Sequence, residues 1–141
     1  MGNDVIRADG APAPVGAYPH ARRVGHLLFL SGIGPRVPGT DAIPGNVVDA
    51  SGAIVSHDIA AQCRQVFANV RAVLEASGAR FDDLVDVTVY LTDMAGDFAT
   101  YNRLYAEAFA GVDACRTTVG INALPTPIAI ELKCVAALRT E

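Results

Sequence analysis

Ile59, Cys63, Val66, Phe67, Val70, Val73 and Leu74 recur at steps of three and four residues, and Gly78 ends the pattern. This spacing lays one apolar stripe along a helix, with Ser56 placed as its N-cap and Asp58 in its first turn. A helix that is apolar along one side must cover something, and the flanking segments indicate what. Leu84 to Leu91 alternates, Val85, Val87 and Val89 on one side and Asp86, Thr88 and Tyr90 on the other, as a half-covered strand does. After Gly96-Asp97 a second helical pattern runs through Phe98, Tyr101, Leu104, Tyr105, Ala108 and Phe109 and closes at Gly111. Val24 to Ser31 reads as a strand entered through Gly25, and Ala53 to Val55 as a short one. Arg116 to Ile121 and Ile128 to Leu138 read as two strands that finish the chain. The order strand, strand, helix, strand, helix, strand, strand suggests an α+β or α/β layer, and the expected form is α+β, a single mixed sheet with two helices packed on one face. The other face then needs a cover, and small homo-oligomers supply one by packing sheets around an axis.

At 141 residues, 51% of them hydrophobic and 18% charged, the chain is long and apolar enough for one domain spanning residues 1–141. Residues 1–20 are rich in Ala, Pro and Gly and predict an extended N-terminal arm lying over the surface. The stretch from Gly34 to Gly52 is a loop dense in Pro, Gly, Asp and Asn, long enough to suggest a functional or mobile element. A net charge of -4 argues against nucleic acid as a partner, because phosphates call for a basic surface. Mean hydropathy of +0.30 fits either apolar surface hidden against another subunit or a monomer with a good core. No apolar run reaches bilayer length, and Met1-Gly2 lacks the Ser or Thr that myristoylation requires at Ile6. No signal-peptide pattern is present, so the expected compartment is the cytoplasm. Cys63, Cys115 and Cys134 show no metal-type spacing and read as small apolar fillers in a reducing compartment. No metal site is expected.

The candidate chemistry lies in the last two strands. Arg116-Thr117-Thr118-Val119 and Ile130-Glu131-Leu132-Lys133 each put a charge into an otherwise apolar strand, where burial costs free energy unless a partner is found. If the two strands form a hairpin about Ala123 and Leu124, Arg116 and Glu131 fall opposite each other. The pair then either serves a ligand, Arg116 forking onto a carboxylate while Glu131 positions water, or satisfies itself as an ion pair. Lys133, on the same strand face as Glu131, is an alternative partner. Tyr18 either lays its ring over a pocket or anchors the arm. Ser31-Gly32 allows a backbone to approach a ligand closely. Arg36 is a solvated loop charge unless the substrate has a second carboxylate. His20 and His57 show no metal-type spacing, and no nucleophile triad is visible.

Taken together these residues resemble the RidA/YjgF-like reactive-intermediate deaminase family over nearly the whole chain. Gly16-Ala17-Tyr18 is similar to its N-terminal Gly-Pro-Tyr, and Ser31-Gly32 to its Ser-Gly-Gln. Gln62-Cys63-Arg64-Gln65, Asn69-Val70 and Leu74 to Gly78 follow its first helix, and Asp97-Phe98 with Asn102 and Tyr105 its second. Arg116 to Val119, Leu124-Pro125 and Ile130-Glu131 follow its signature. The resemblance implies a chorismate-mutase-like homotrimer with clefts between subunits, no cofactor, and hydrolysis of enamines or imines to ketones and ammonia. It implies that Arg116 holds the substrate carboxylate and Glu131 orients the attacking water, with Tyr18, Gly32 and Thr118 against the ligand.

Some positions depart from the housekeeping pattern. Thr118 stands where Cys is frequent, Ile33 replaces Gln, Cys115 replaces a small residue, and the Arg36–Val55 loop is longer. Tyr18 to Arg22, that loop and Pro125-Thr126-Pro127 resemble the 2-aminomuconate deaminase branch, which acts in aromatic-amine breakdown. The expected substrate is therefore 2-aminomuconate or a close relative, with Arg36 available to its far carboxylate. A broad 2-aminoacrylate-type deaminase and a non-enzymatic small-acid-binding trimer are the alternatives.

Overall fold

The structure is a computed structural model and describes residues 3–139, so Met1-Gly2 lies outside the described residues. Among the described residues, eight strands and two α-helices follow in chain order, with one 3-10 turn at Phe81–Asp83. They are β1 (Asn3–Ile6), β2 (Ala21–Val24), β3 (Leu27–Leu30), β4 (Val47–Val48), β5 (Ile54–Ser56), α1 (Ile59–Ala76), β6 (Leu84–Leu91), α2 (Met94–Ala108), β7 (Cys115–Gly120) and β8 (Ile130–Ala137). The main sheet has the order β1-β2-β3-β8-β6-β7, while β4 and β5 form a separate two-stranded ribbon. The expected mixed α+β fold with one main sheet and two helices is the observed one.

The core forms where the helices meet one sheet face. Leu28, Leu30, Val87, Val89, Leu91, Ile130, Leu132, Cys134 and Ala136 point into it from the strands. Cys63, Val66, Val70, Val73 and Leu74 meet them from α1, and Tyr101, Leu104 and Tyr105 from α2. Each such large apolar side chain contributes about 1.5–3 kcal/mol on burial. Burial also pushes the Cys63 thiol up to about 12, so it stays a neutral packing group. Cys115 is exposed, so the filler reading fails for it. On the opposite sheet face Val24, Leu27 and Phe29 remain 40–44% exposed. No helix among the described residues is long and apolar enough to cross a membrane.

Several boundaries differ from the sequence expectation for local reasons. The strand expected over Val24 to Ser31 is a hairpin, because Gly25 takes φ +62 in the two-residue turn Gly25-His26 between β2 and β3. Part of the arm is itself a strand, β1, paired with β2. Helix α1 is capped by Asp58, whose Oδ1 accepts from the Ala61 N–H at 3.1 Å, not by Ser56, which ends β5. A bulge between Leu84 and Asp86 turns Val85 out of the buried row to 40% exposure.

The largest correction concerns the last two strands. β7 and β8 are not hairpin partners; both pair with β6, β7 parallel on one side and β8 antiparallel on the other. A helical crossover such as α2 returns the chain in the direction it left, so β7 lies parallel to β6. Residues 121–129 then round the end of β6, where the Ile121 N–H donates to Leu91 O and the Thr92 N–H to Ala129 O. Replacing the observed cap, Asp58→Ala, is expected to cost about 1 kcal/mol of stability. Ser56→Ala should stay within about 0.5 kcal/mol. Denaturant unfolding of the two variants checks this, and equal losses would contradict the assigned cap.

Candidate functional site

The β6 insertion separates the two charges that sequence arithmetic sets face to face. Arg116 aligns with Val87, which aligns in turn with Cys134, whereas Glu131 aligns with Tyr90. Two strand spacings and three residues of rise put their Cα atoms about 14 Å apart. They also lie on opposite faces. Val87 and Cys134 point to the helices, so Arg116 and Thr118 do as well, while Glu131 alternates to the open face. The six candidate residues accordingly form two groups.

Tyr18, Gly32, Arg36 and Glu131 line one small cleft of about 60 Å³, together with Val15, Pro125 and Thr126. Its floor is built by a close approach: a Cβ on Gly32 would stand 2.6 Å from Glu131 Oε2 and 2.9 Å from its Cδ. Gly32 is thus required for space, and the loss of one side chain lets a carboxylate enter. Glu131 is half-buried, and among the described residues no cation lies within ion-pair distance of it. Lys133 does not serve as its partner, because its Nζ donates to Leu30 O. Burial without a compensating charge raises the Glu131 pKa above its ordinary 4.5.

The cleft walls are held by backbone contacts. Asn69, buried on α1, donates through Nδ2 to Gly34 O and Arg36 O, both at 2.8 Å, and fixes the chain leaving β3. The Arg36 Nη2 donates to Ala13 O at 2.6 Å and ties the loop to the arm. The arm is held by His20, whose Nδ1 accepts from the Ala8 N–H at 2.9 Å and whose Nε2 lies 2.7 Å from Pro12 O. With Nδ1 an acceptor, Nε2 carries the proton and donates, so one neutral tautomer fastens the arm at two points. Ser31 Oγ adds a bond to Pro19 O at 2.7 Å. These contacts carry Tyr18 to the cleft, where its hydroxyl accepts from the Val15 N–H at 3.2 Å.

The second group centres on Arg116. Its Nη1 donates to Asn102 Oδ1 at 2.9 Å, and its guanidinium carbon lies 4.8 Å from the Tyr105 ring centroid and 5.2 Å from that of Tyr101. Thr118 Oγ1 is 2.7 Å from the Tyr101 hydroxyl. The cation is therefore supported by α2 and fixed in direction, as carboxylate recognition by a planar fork requires. Tyr101 and Asn102 were not legible as site residues in the sequence, where Tyr101 reads as core. The available signal was Asn102, a polar residue on the helix beside the Tyr101 and Tyr105 stripe.

A third cluster also escapes sequence spacing. One ligand atom each of His57, Asp93 and Asp97 lies within 4.8 Å of the others. Both carboxylates are already engaged within the fold. Asp93 caps α2 by accepting from the Gly96 N–H, and buried Asp97 sits 2.7 Å from His57 Nε2.

A family model described as Endoribonuclease L-PSP matches residues 8–138. The chain belongs to the RidA/YjgF (L-PSP) family. A RutC family protein of Pyrococcus horikoshii is 40% identical over 94% of this chain and 96% of its own. The 2-iminobutanoate/2-iminopropanoate deaminase of Escherichia coli K12 is 34% identical over 95% of this RidA-family chain and 97% of its own. The crystal structure of the YjgF gene product from E. coli superposes with a TM-score of 0.81 at 33% identity, covering 96% of this chain and 99% of that one.

Because folded Glu131 holds its proton more tightly than the unfolded chain, it favours the fold at acid pH. That contribution is lost as pH rises through its raised pKa. Glu131→Gln is therefore expected to raise the melting temperature at pH 7 and to leave it nearly unchanged at pH 4. A lower melting temperature at pH 7 would show a hidden cationic partner.

Proposed function

We propose that this RidA-family chain is a cofactor-free hydrolytic deaminase of enamine and imine acids, with 2-aminomuconate or a close dicarboxylate relative as substrate. The observation that carries the reading is the half-buried Glu131 carboxylate at the floor of the Gly32 cleft, with no ion-pair partner among the described residues. Holding a charge there costs stability, which is characteristic of a group kept for chemistry. The name of the E. coli deaminase supports the reaction class.

Glu131 and Arg116 lie too far apart to share a small substrate within one protomer, so the proposal includes a homotrimer. In it, the Arg116 cluster of one copy faces the Glu131 cleft of the next. The exposed Val24, Leu27 and Phe29 on the open sheet face give such a ring its apolar contact. Arg116, with Thr118 beside it, binds the carboxylate next to the reacting carbon. The enamine takes a proton on carbon and becomes an imine. Glu131 orients a water and receives its proton as the oxygen adds to the imine carbon. That proton passes to nitrogen to give a carbinolamine, whose hydroxyl proton then moves to nitrogen as the C–N bond breaks and the C=O bond forms, and ammonia leaves a 2-oxo acid. Overall, one water is consumed for each ammonia released. Tyr18 covers the ligand, and Arg36, at the same cleft as Glu131, meets the second carboxylate.

A broader 2-aminoacrylate-type activity is the second reading, favoured by the E. coli relative's name. The two separate on kcat/KM, which should be higher for 2-aminomuconate than for 2-aminoacrylate. Arg36→Ala should reduce that preference about tenfold while sparing 2-aminoacrylate. A preference for 2-aminoacrylate, untouched by Arg36→Ala, would leave only the broad enzyme. Arg116→Ala should lower ammonia release by about a hundredfold or more. In the wild type, kcat/KM should rise with pH as Glu131 ionises, with its midpoint above the ordinary 4.5. Unchanged turnover in Arg116→Ala would end the assignment.

A further inference from the structure

Tyr101 is fully buried on α2, yet its hydroxyl reaches the strand that carries the site. Its oxygen lies 2.7 Å from Thr118 Oγ1, and its ring lies under the Arg116 guanidinium at 5.2 Å. One hydroxyl of the pair must donate and the other accept, and the surroundings determine which. Arg116 lies over the Tyr101 ring, and its positive charge favours the arrangement in which the phenol oxygen keeps its lone pairs toward the cation and gives its proton to Thr118 Oγ1. Burial raises the Tyr101 pKa, so the phenol keeps a proton to give. Thr118 Oγ1 then accepts from within, and its own proton is free to turn outward. Thr118 lies two residues from Arg116 on the same face of edge strand β7 and is only half-buried.

We propose that Tyr101 is a positioning residue: by donating to Thr118 Oγ1 it commits the threonine proton to the same carboxylate that Arg116 binds. The bound group is a carboxylate next to a trigonal carbon, as in a 2-oxo or 2-imino acid. Arg116 supplies the charge, and Thr118 supplies a neutral donor that fixes the rotation of the carboxylate plane. Without the phenol hydroxyl, Thr118 can spend its proton elsewhere, and the carboxylate loses one directed bond. This inference rests on the proposed role of Arg116, and the experiment separates the two.

The probe is 2-oxobutanoate, with its Kd measured by calorimetry on the full chain. Wild type should bind it, and Arg116→Ala should abolish binding. Tyr101→Phe and Thr118→Val should each weaken it about three- to tenfold, and the double variant no more than Thr118→Val alone. Thr118→Ser, which retains the hydroxyl, should bind like wild type. A purely structural role for Tyr101 would lower the melting temperature and leave Kd unchanged in the folded variant. Should Tyr101→Phe fail to fold, Thr118→Val against Thr118→Ser still decides. Loss of binding in Arg116→Ala with wild-type affinity in Tyr101→Phe or Thr118→Val overturns the Tyr101 proposal alone. No binding by wild type, or full binding by Arg116→Ala, overturns the Arg116 reading and this inference with it.

Discussion

The site depends on the position of β6 between β7 and β8. With its parallel partner on one side and its antiparallel partner on the other, β6 fixes the face and height of every side chain on the last two strands. Arg116 is sent to the helix side, where Tyr101, Tyr105 and Asn102 hold it. Glu131 is sent to the open side, where Gly32 leaves room for its carboxylate. Arg116 and Glu131 therefore stand in two separate places, and only the Glu131 cleft also holds Arg36.

That division accounts for features that look wasteful in isolation. A half-buried carboxylate without a cation and an open sheet face with exposed Leu27 and Phe29 both cost a lone protomer stability. Association of copies would cover the apolar faces and bring the two charges to one ligand, while the Glu131 carboxylate still lacks a cation until that ligand binds. The arm contributes to the same arrangement. His20 fastens it at Ala8 and Pro12, Arg36 fastens it at Ala13, and Tyr18 is delivered to the cleft as a consequence.

Much of this was legible in the sequence. The three- and four-residue steps of α1 and the alternation of β6 follow directly from which faces are buried, and the structure keeps both elements. Four of the six candidate residues, Tyr18, Gly32, Arg36 and Glu131, come together in one cleft. Strand pairing was not legible. Residues 121–129 could in principle close a hairpin, and nothing in Arg116 to Lys133 reveals that β6 lies between the two strands. The arithmetic that set Arg116 opposite Glu131 assumed adjacency, which only the α2 crossover decides. Tyr101 was hidden for another reason: a buried tyrosine in an apolar stripe looks like core until its hydroxyl is seen against Thr118.

In the proposed assembly a working site takes Arg116 from one copy and Glu131 from another. It is tested by co-refolding Arg116→Ala and Glu131→Gln chains in equal amounts and measuring ammonia release from 2-aminomuconate. Each variant alone should be inactive. In a random ring, each interface joins the intact Arg116 of one chain type to the intact Glu131 of the other one time in four. The mixture should therefore recover about a quarter of wild-type activity. A mixture as inactive as its parents, with mixed oligomers confirmed, would contradict the account.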